Sequence, residues 1–523
     1  MTSSLLSLLS ALAVARDEIL DAIAANQTIR RFVFRLVSTA VVTPEIFEET
    51  LACLMTLSED NLQLGQAIIG DQETRCYDEL LKFRETLGPR GVLACGVLHN
   101  VFSSLQWLDH SPGKGGACDA ILVPSLSRNL KQFPSSGATA NGHDAGNHTG
   151  CVQTTLEILA SIGTDLQNAL EKGNHAQPGG GVGGGQEEEW EGIQGDADAM
   201  EVDESSGDGN DNEDDKGGSD EEEGSDDDLD LDADMEKVTG PDEPSPENAN
   251  LDDLPTLREL IQTAVPQLIR LANIHITSDD DIAIQAHAFS ALNNIAWTIS
   301  CLEFANGENA NILAVWAPAA KKIWLKTITP VLDADNADLN LATLVTGLAW
   351  AISRSLAGNT PSDGTQHRKF ISLYQTTKSN NSADEKMGGQ GEGDEQDDPF
   401  QSLGVKCIGV LGSLARDPAP IKVNRDVGVF LMTLLDYAET PVAEVVEALN
   451  QIYDIYGDED LKCDKEVFWN DGFLRHLEKL VQRLKTIAKG IDKRKAEELR
   501  TKTDEAILNL GRFIKYKKKH APR

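Results

Sequence analysis

Aromatic residues and closely spaced cysteines are scarce in this chain. Aromatic side chains make up 5% of its 523 residues, and the eight cysteines stand singly, with no C-x-x-C pair. This spacing excludes the usual zinc and redox motifs. Most of the cysteines fall in apolar helical runs, where a free cysteine behaves as a small buried hydrophobe. We therefore expect a reducing compartment rather than a secretory one.

Catalytic motifs are lacking as well. The sequence contains no Walker A motif, no G-x-S-x-G and no H-E-x-x-H, and its ten histidines are dispersed. Residues 111–116 have the composition of a phosphate-binding loop but not its G-K-[ST] spacing or a preceding strand, so we interpret them as a loop between helices. We predict no enzymatic activity, no catalytic residue, no metal site and no cofactor.

Negative charge is abundant and unevenly placed. The net charge is −39, of which residues 187–253 contribute −28 and residues 384–398 contribute −6. Residues 475–523 reverse the sign, with a net charge of +10. We interpret this end as a basic helix and tail, with a solvated helix face as the simplest reading. A contact with nucleic acid, a nuclear signal or internal neutralisation by the acidic segment stay as alternatives.

Helical periodicity dominates what remains. Apolar residues recur at i, i+3, i+4 and i+7 in segment after segment, and no convincing strand appears. Breaks such as Thr43-Pro44 and Gly88-Pro89 lie where helices should begin. Counting these segments predicts roughly eighteen helices, and the clearest after the acidic insert lie at residues 254–276, 282–302, 312–331, 339–356, 403–415, 427–437, 442–456, 473–487 and 496–516.

Some of these helices resemble one another. Residues 94–101 align with residues 288–295, and more loosely with residues 344–351, through the pattern small–x–small–x–Leu–x–Asn–β-branched. The small residues let neighbouring helices approach closely, and Leu98, Leu292 and Leu348 should fill a shared core. The predicted fold class is therefore all-α, an armadillo/HEAT-type helical-repeat superhelix with a long disordered acidic insert.

Such a superhelix offers an extended concave groove for binding. In armadillo repeats an asparagine at the place of Asn100 and Asn294 holds the backbone of a bound peptide, since its amide both donates and accepts hydrogen bonds. The alternative is that these asparagines bridge helices within the array. Tryptophans are more often core than binding platform. The candidate groove residues are Asn100, Trp107, Asn294, Trp297 and Trp350.

The acidic insert is the second candidate site. Its low hydrophobicity and high charge cannot offset the entropy of folding, so we expect it to be disordered when free. Hydrophobic residues among the acids suggest a strip that orders against a basic partner, mimicking RNA electrostatically; an unstructured spacer is the alternative. The candidate residues of this acidic strip are Glu187, Glu188, Glu189, Trp190, Glu191, Ile193, Asp196, Asp198, Met200 and Asp203.

These features give a three-part organisation. We expect armadillo/HEAT-like repeats at residues 1–175, the acidic insert at residues 176–253, and HEAT-like repeats at residues 254–523. The last part should contain a short acidic loop at about residues 378–399 and end in the basic helix.

The chain also resembles the symportins, fungal armadillo/HEAT-repeat co-import adaptors. The stretches that bear the resemblance are residues 57–62, 96–102, 106–114, the acids around Trp190, 448–458 and 509–516, and the last two are the most diagnostic. The resemblance implies two cargoes, the basic ribosomal proteins that accompany 5S ribosomal RNA into the nucleus. It further implies that the groove takes an extended basic segment of one cargo and that the acidic insert shields the RNA-binding face of the other.

One departure from the family pattern concerns the N-terminus. Symportins begin with a basic nuclear signal of the transportin type and further armadillo repeats, whereas Met1 here opens directly into an apolar helix. We expect the N-terminal part to be missing, so recruitment of an import receptor is in doubt. We also expect self-association through Leu5, Leu8 and Leu12.

The resulting hypothesis is a non-enzymatic import adaptor and chaperone for ribosomal proteins of the 5S particle, shuttling between cytoplasm and nucleus. Neither membrane association nor sequence-specific binding to nucleic acid is expected. A general import receptor, an acidic histone-type chaperone and a scaffold for an enzyme complex are the alternatives.

Overall fold

The computed structural model describes residues 1–38, 42–133, 144–173, 251–302, 304, 309–334, 338–356, 358–384 and 398–522. All ten residues of the acidic strip lie outside these ranges. So do residues 385–397 of the short acidic loop.

Helices account for nearly all regular structure in the described part of the chain, and no strand occurs there. The helices are α1 (Thr2–Ala15), α2 (Asp17–Ala25), α3 (Gln27–Ser38), α4 (Pro44–Ser58), α5 (Leu62–Gly70), α6 (Cys76–Phe83), α7 (Pro89–Ser104), α8 (Val123–Gln132), α9 (Asp144–Gly173), α10 (Pro255–Glu259), α11 (Val265–Ala272), α12 (Asp279–Ser300), α13 (Ala310–Ile323), α14 (Thr329–Asp333), α15 (Leu339–Ser355), α16 (His367–Asp384), α17 (Leu403–Ala415), α18 (Ile421–Asp436), α19 (Val442–Tyr456), α20 (Phe473–Gly490) and α21 (Glu497–Lys519).

Nine of these helices form one uninterrupted ladder in which each packs on the next. Its order is α1, α4, α7, α9, α12, α15, α17, α19 and α21. The step from α9 to α12 joins helices on either side of the acidic insert, so the packing continues across it. A ladder of neighbours that contact only the preceding and following unit is the structural signature of a helical-repeat solenoid, which confirms the all-α helical-repeat class predicted for the described residues.

A second layer lies against the ladder and closes its core. α2 packs on α5, α3 on α6, α8 on α11, α16 on α18, and α18 on α20. One hydrophobic core runs through the array, from Leu6 in α1 to Phe513 in α21. Burial of apolar surface between the layers is the main stabilising term in such an array.

The internal sequence repeat corresponds to equivalent positions in the ladder. Leu98, Leu292 and Leu348 are each fully buried in the core of α7, α12 and α15, as predicted. Gly96 lies so close to Met55 of α4 that an added Cβ would meet its sulfur. Small residues therefore do let adjacent ladder helices approach.

Two predicted helices contain an irregular turn that the periodicity did not reveal. Residues Leu260–Ala264 and Trp324–Ile328 form π-helical turns, and Pro266 and Pro330 follow them. Proline has no N–H to donate to the preceding turn, and the wider turn accommodates that loss. Val265 and Thr329 accordingly donate to the carbonyls of Leu260 and Trp324, five residues back.

Side-chain caps determine where several other helices begin. Thr43 and Asn61 accept hydrogen bonds from the first turns of α4 and α5, and Ser278 and Asp281 form a capping box at the start of α12. Helix α12 thus begins three residues before the predicted start. None of the described helices is long and apolar enough to span a bilayer.

Candidate functional site

Two half-buried tryptophans meet on the ladder at the junction of α12 and α15. The ring centroids of Trp297 and Trp350 lie 5.0 Å apart with an edge-to-face angle of 74°. The guanidinium of Arg354, one turn after Trp350, lies over the Trp297 ring at 5.6 Å from its centroid. Electron-rich ring faces attract cations, so this pair is a platform suited to lysine and arginine side chains.

Glycines on α15 and α17 allow the close packing around this platform. Gly409 of α17 faces Trp350 so closely that an added Cβ would clash with the indole ring. A Cβ added at Gly347 of α15 would similarly lie 3.3 Å from the amide oxygen of Asn293 and 3.8 Å from the Lys406 side chain. The tryptophan platform therefore depends on close approach of three consecutive ladder helices.

The two candidate asparagines connect neighbouring ladder helices. Asn100 donates through Nδ2 to the carbonyl of Met55 in α4 at 2.9 Å. Asn294 donates in the same way to the carbonyl of Ala160 in α9 at 3.2 Å and to Thr164 Oγ1 at 3.1 Å. This is the bridging arrangement weighed as the alternative, and it uses the amide donors while both side chains remain partly exposed. Cargo binding by their carbonyl oxygens stays a prediction.

Trp107 occupies a different setting from the other candidates. It lies in the loop after α7, stacked on Phe102 at 5.6 Å and edge-on to Tyr77 at 6.2 Å. Gly113 lies against its indole ring, and residues 111–116 form part of an inter-helix loop as predicted. These contacts give Trp107 a packing role, and the structure does not bring it together with Trp297 and Trp350.

Two further tryptophans belong to the core. Trp316 and Trp324 are fully buried and donate their indole N–H groups to Ser355 Oγ at 2.8 Å and Gln366 Oε1 at 3.0 Å. A buried indole N–H needs such a partner. The core interpretation of these two residues is confirmed.

A buried histidine links α7 to α9. His99 Nδ1 lies 3.1 Å from both carboxylate oxygens of Asp119, and Nε2 lies 2.9 Å from Ser161 Oγ and 3.9 Å from Asp165. Burial alone would lower the pKa of His99, but the Asp119 carboxylate outweighs it and the pKa is raised. Both ring nitrogens have hydrogen-bond partners, so a bridge between helices accounts for the geometry without a metal ion.

The cysteines are free, and most of them are buried. Burial raises the pKa of the Cys95 thiol to about 12 and that of Cys118 to about 11. A thiol of this kind stays protonated and unreactive at neutral pH.

Sequence reasoning missed Arg354, the cation over the Trp297 ring, and Lys406, which lies against Gly347 on the helix that bears Trp350. Burial lowers the pKa of Lys406, and its aliphatic chain lies 3.8 Å from the place where a Gly347 side chain would begin. The spacing of Arg354, four residues after Trp350 on one helix face, was a usable signal. Lys406 became identifiable only through the packing of α15 on α17.

Comparison with known proteins gives consistent matches. A family model described as "SYO1-like, TPR repeats" matches residues 390–521. Symportin 1 of Chaetomium thermophilum is 59% identical over an alignment that covers all of this chain and 77% of that protein.

Two other fungal relatives match over shorter parts. The "Armadillo repeat protein involved in nucleocytoplasmic transport Syo2" of Schizosaccharomyces pombe is 38% identical over 21% of this chain and 17% of its own length. The "Synchronized import protein 1" of Saccharomyces cerevisiae is 25% identical over 43% of this chain and 34% of its own length. None of the three names describes a catalysed reaction. With full-length coverage by Symportin 1 and a ladder of helical repeats, the chain belongs to the symportin family.

Proposed function

We propose that this chain acts in nucleocytoplasmic transport as a non-enzymatic adaptor and dedicated chaperone for basic cargo. The cargoes are the two newly made ribosomal proteins associated with 5S ribosomal RNA, carried together to the nucleus for assembly of the large subunit. Shuttling between cytoplasm and nucleus follows from this role.

The tryptophan platform is the observation that most directly supports basic cargo. Trp297 and Trp350 present aromatic surface on the ladder, and a cation already lies over one ring in the form of Arg354. An extended segment rich in lysine and arginine would make the same kind of contact. Each exposed cation–π contact contributes about 0.5–1 kcal/mol.

The charge of the acidic segment supports the second cargo contact. Residues 187–253 have a net charge of −28, and residues 187–203 place Trp190, Ile193 and Met200 among the acids. Closely spaced negative charge can occupy the surface of a ribosomal protein that later binds RNA. Long-range attraction of this kind accelerates association and is screened by salt.

Affinity purification from cells, followed by mass spectrometry, tests the proposal. The intact chain should enrich both ribosomal proteins of the 5S particle far above other basic proteins. A chain lacking residues 187–253 should lose one of them and retain the other. Equal recovery of histones would favour a general acidic chaperone, and unchanged recovery from the shortened chain would favour a scaffold.

Substitutions on the platform test the groove contact separately. Trp350→Ala should weaken binding of the cargo's extended basic segment by about two- to fivefold, the equivalent of one exposed cation–π contact. Tyr437→Ala is the matched control, because Tyr437 is an exposed aromatic residue outside the ladder. Isothermal titration calorimetry of both variants gives the comparison, and equal affinities would contradict a role for the platform.

A further inference from the structure

A strip of cations lies on the exposed face of α20 and is not used in the contacts that hold the fold together. Arg475, Lys479 and Lys489 project from the face of the helix opposite its buried residues, and Lys485 lies beside them. Lys493 and Arg494 extend the strip into the following loop. We call these six residues the basic strip.

Three of the acids around the basic strip have other partners, and a fourth, Asp492, accepts a hydrogen bond from the backbone N–H of Arg494 at 2.9 Å. Glu478 pairs with Lys518 at 2.7 Å, Asp436 with His476 at 2.8 Å, and Asp471 with Arg425 at 2.9 Å. Within the described residues, no carboxylate lies within salt-bridge distance of any of the six cations. Residues 473–496 have a net charge of +6 in a chain of net charge −39. The strip is therefore an isolated positive surface on an acidic protein.

The helix that bears the strip is firmly placed. Leu477, Leu480 and Leu484 are buried against the array, and Arg483 donates to the carbonyl of Leu435 at the end of α18, at 2.7 Å. Arg483 thus anchors the inner side of α20. The strip residues are not needed for this anchoring.

We propose that the basic strip binds the phosphate backbone of RNA without regard to sequence. Its cations are separated by Gln482 and Thr486, exposed side chains of the types that donate hydrogen bonds to phosphate oxygens. The exposed face of α20 presents no aromatic or large aliphatic side chain that would favour a protein partner. Lysine and arginine spaced along one helix face supply the electrostatic contacts of sequence-independent binding.

This inference is independent of the cargo proposal, since α20 lies in the second layer and the tryptophan platform lies on the ladder. A loss of cargo binding would therefore not contradict the RNA proposal. RNA that accompanies a basic cargo could then be held by the same adaptor at a separate surface.

The test is a fluorescence anisotropy titration of a labelled, mixed-sequence single-stranded RNA with the intact chain at several salt concentrations. The triple variant Arg475→Gln/Lys479→Gln/Lys489→Gln should bind at least tenfold more weakly. The slope of log affinity against log salt concentration should also become shallower by about two for this variant. Each phosphate contact with a single strand contributes about 0.7 to that slope.

The matched control is Lys321→Gln/Lys322→Gln/Lys326→Gln, three exposed lysines at the end of α13 and in the turn that follows. This control should bind RNA as the intact chain does. Indistinguishable RNA affinities of the two triple variants would overturn the proposal.

A further variant distinguishes RNA from an acidic partner within the same chain. If the intact chain fails to bind RNA even at low salt, while a chain with the acids of residues 187–253 changed to amides binds it, the partner of the strip is that acidic segment. The RNA proposal is then wrong.

Discussion

A single lysine in the basic C-terminal run is buried as part of the core. Lys517 is fully buried, with Nζ 2.8 Å from Asp464 Oδ1 and within 6 Å of the Phe468 and Phe513 ring centroids. Trp469 donates to the other oxygen of Asp464 at 3.0 Å. The simplest interpretation of the basic C-terminal end, a solvated helix face, is wrong for Lys517.

Removing this lysine should destabilise the protein strongly. Lys517→Met leaves the Asp464 carboxylate buried without its counter-ion, a change that costs about 3–5 kcal/mol. Lys515→Met, which alters an exposed neighbour, should stay within about 0.5 kcal/mol. Urea-induced unfolding measures both, and a similar free energy of unfolding for the two variants would contradict the buried pair.

The His99 bridge predicts a pH dependence of stability. Because the pKa of His99 is raised above its usual 6.5, the charged form stabilises the fold. This contribution is complete below about pH 6.5 and is lost as pH rises through the higher native pKa. The difference in melting temperature between the unaltered chain and His99→Gln should therefore shrink from pH 6 to pH 9. The control is His275→Gln, which alters an exposed histidine. A melting-temperature difference for His99→Gln that stays constant from pH 6 to pH 9 would exclude this account.

At the scale of elements, close approach of ladder helices depends on particular glycines. Gly409→Ala would drive a methyl group into the Trp350 ring, and overpacking of this kind costs about 1–3 kcal/mol. Gly511→Ala in α21 meets no atom within 4 Å and should stabilise the helix by about 0.5–1 kcal/mol. In thermal unfolding, Gly409→Ala should lower the melting temperature and Gly511→Ala should raise it. If both variants shift the melting temperature in the same direction, the packing of α15 on α17 is not as tight as described.

Helix periodicity predicted the elements better than their irregularities. The bounds of α17 and α19 agree with the prediction, because continuous apolar patterns mark both helices, Ser402 caps α17 and Pro441 directly precedes α19. The π turns before Pro266 and Pro330 were missed, since their hydrogen bonds depend on local geometry that hydrophobic spacing does not encode. Arg483, Trp107 and Asn100 likewise owe their roles to partners distant in sequence, which are Leu435, Tyr77 and Met55.

At the scale of the whole molecule, the solenoid followed from the internal repeat and from the charge distribution. Leu98, Leu292 and Leu348 identified equivalent repeat positions, which the ladder confirms. The sequence also supplied Trp297 and Trp350 as candidates, but only the fold showed them together with Arg354 over one ring. The acidic strip lies outside the described residues, so its role stays a prediction.

Electrostatic contact with cargo predicts a dependence on ionic strength. Raising salt from 0.1 M to 0.5 M shortens the screening length and should slow association of the cargo that meets the acidic segment. Stopped-flow measurement of the association rate tests this, with a chain whose acids at residues 187–203 are changed to amides as the control. The association rate of this control should be low and nearly independent of salt. A flat profile for the unaltered chain would argue against electrostatic mimicry.

The central claim is that one chain holds two basic ribosomal proteins at once, through separate surfaces. Native mass spectrometry of the purified chain mixed with both ribosomal proteins of the 5S particle tests it most directly. We predict a complex containing one copy of each of the three proteins, reduced to a two-protein complex when residues 187–253 are deleted. Mutually exclusive binding of the two cargoes, or no complex with either, would contradict the claim.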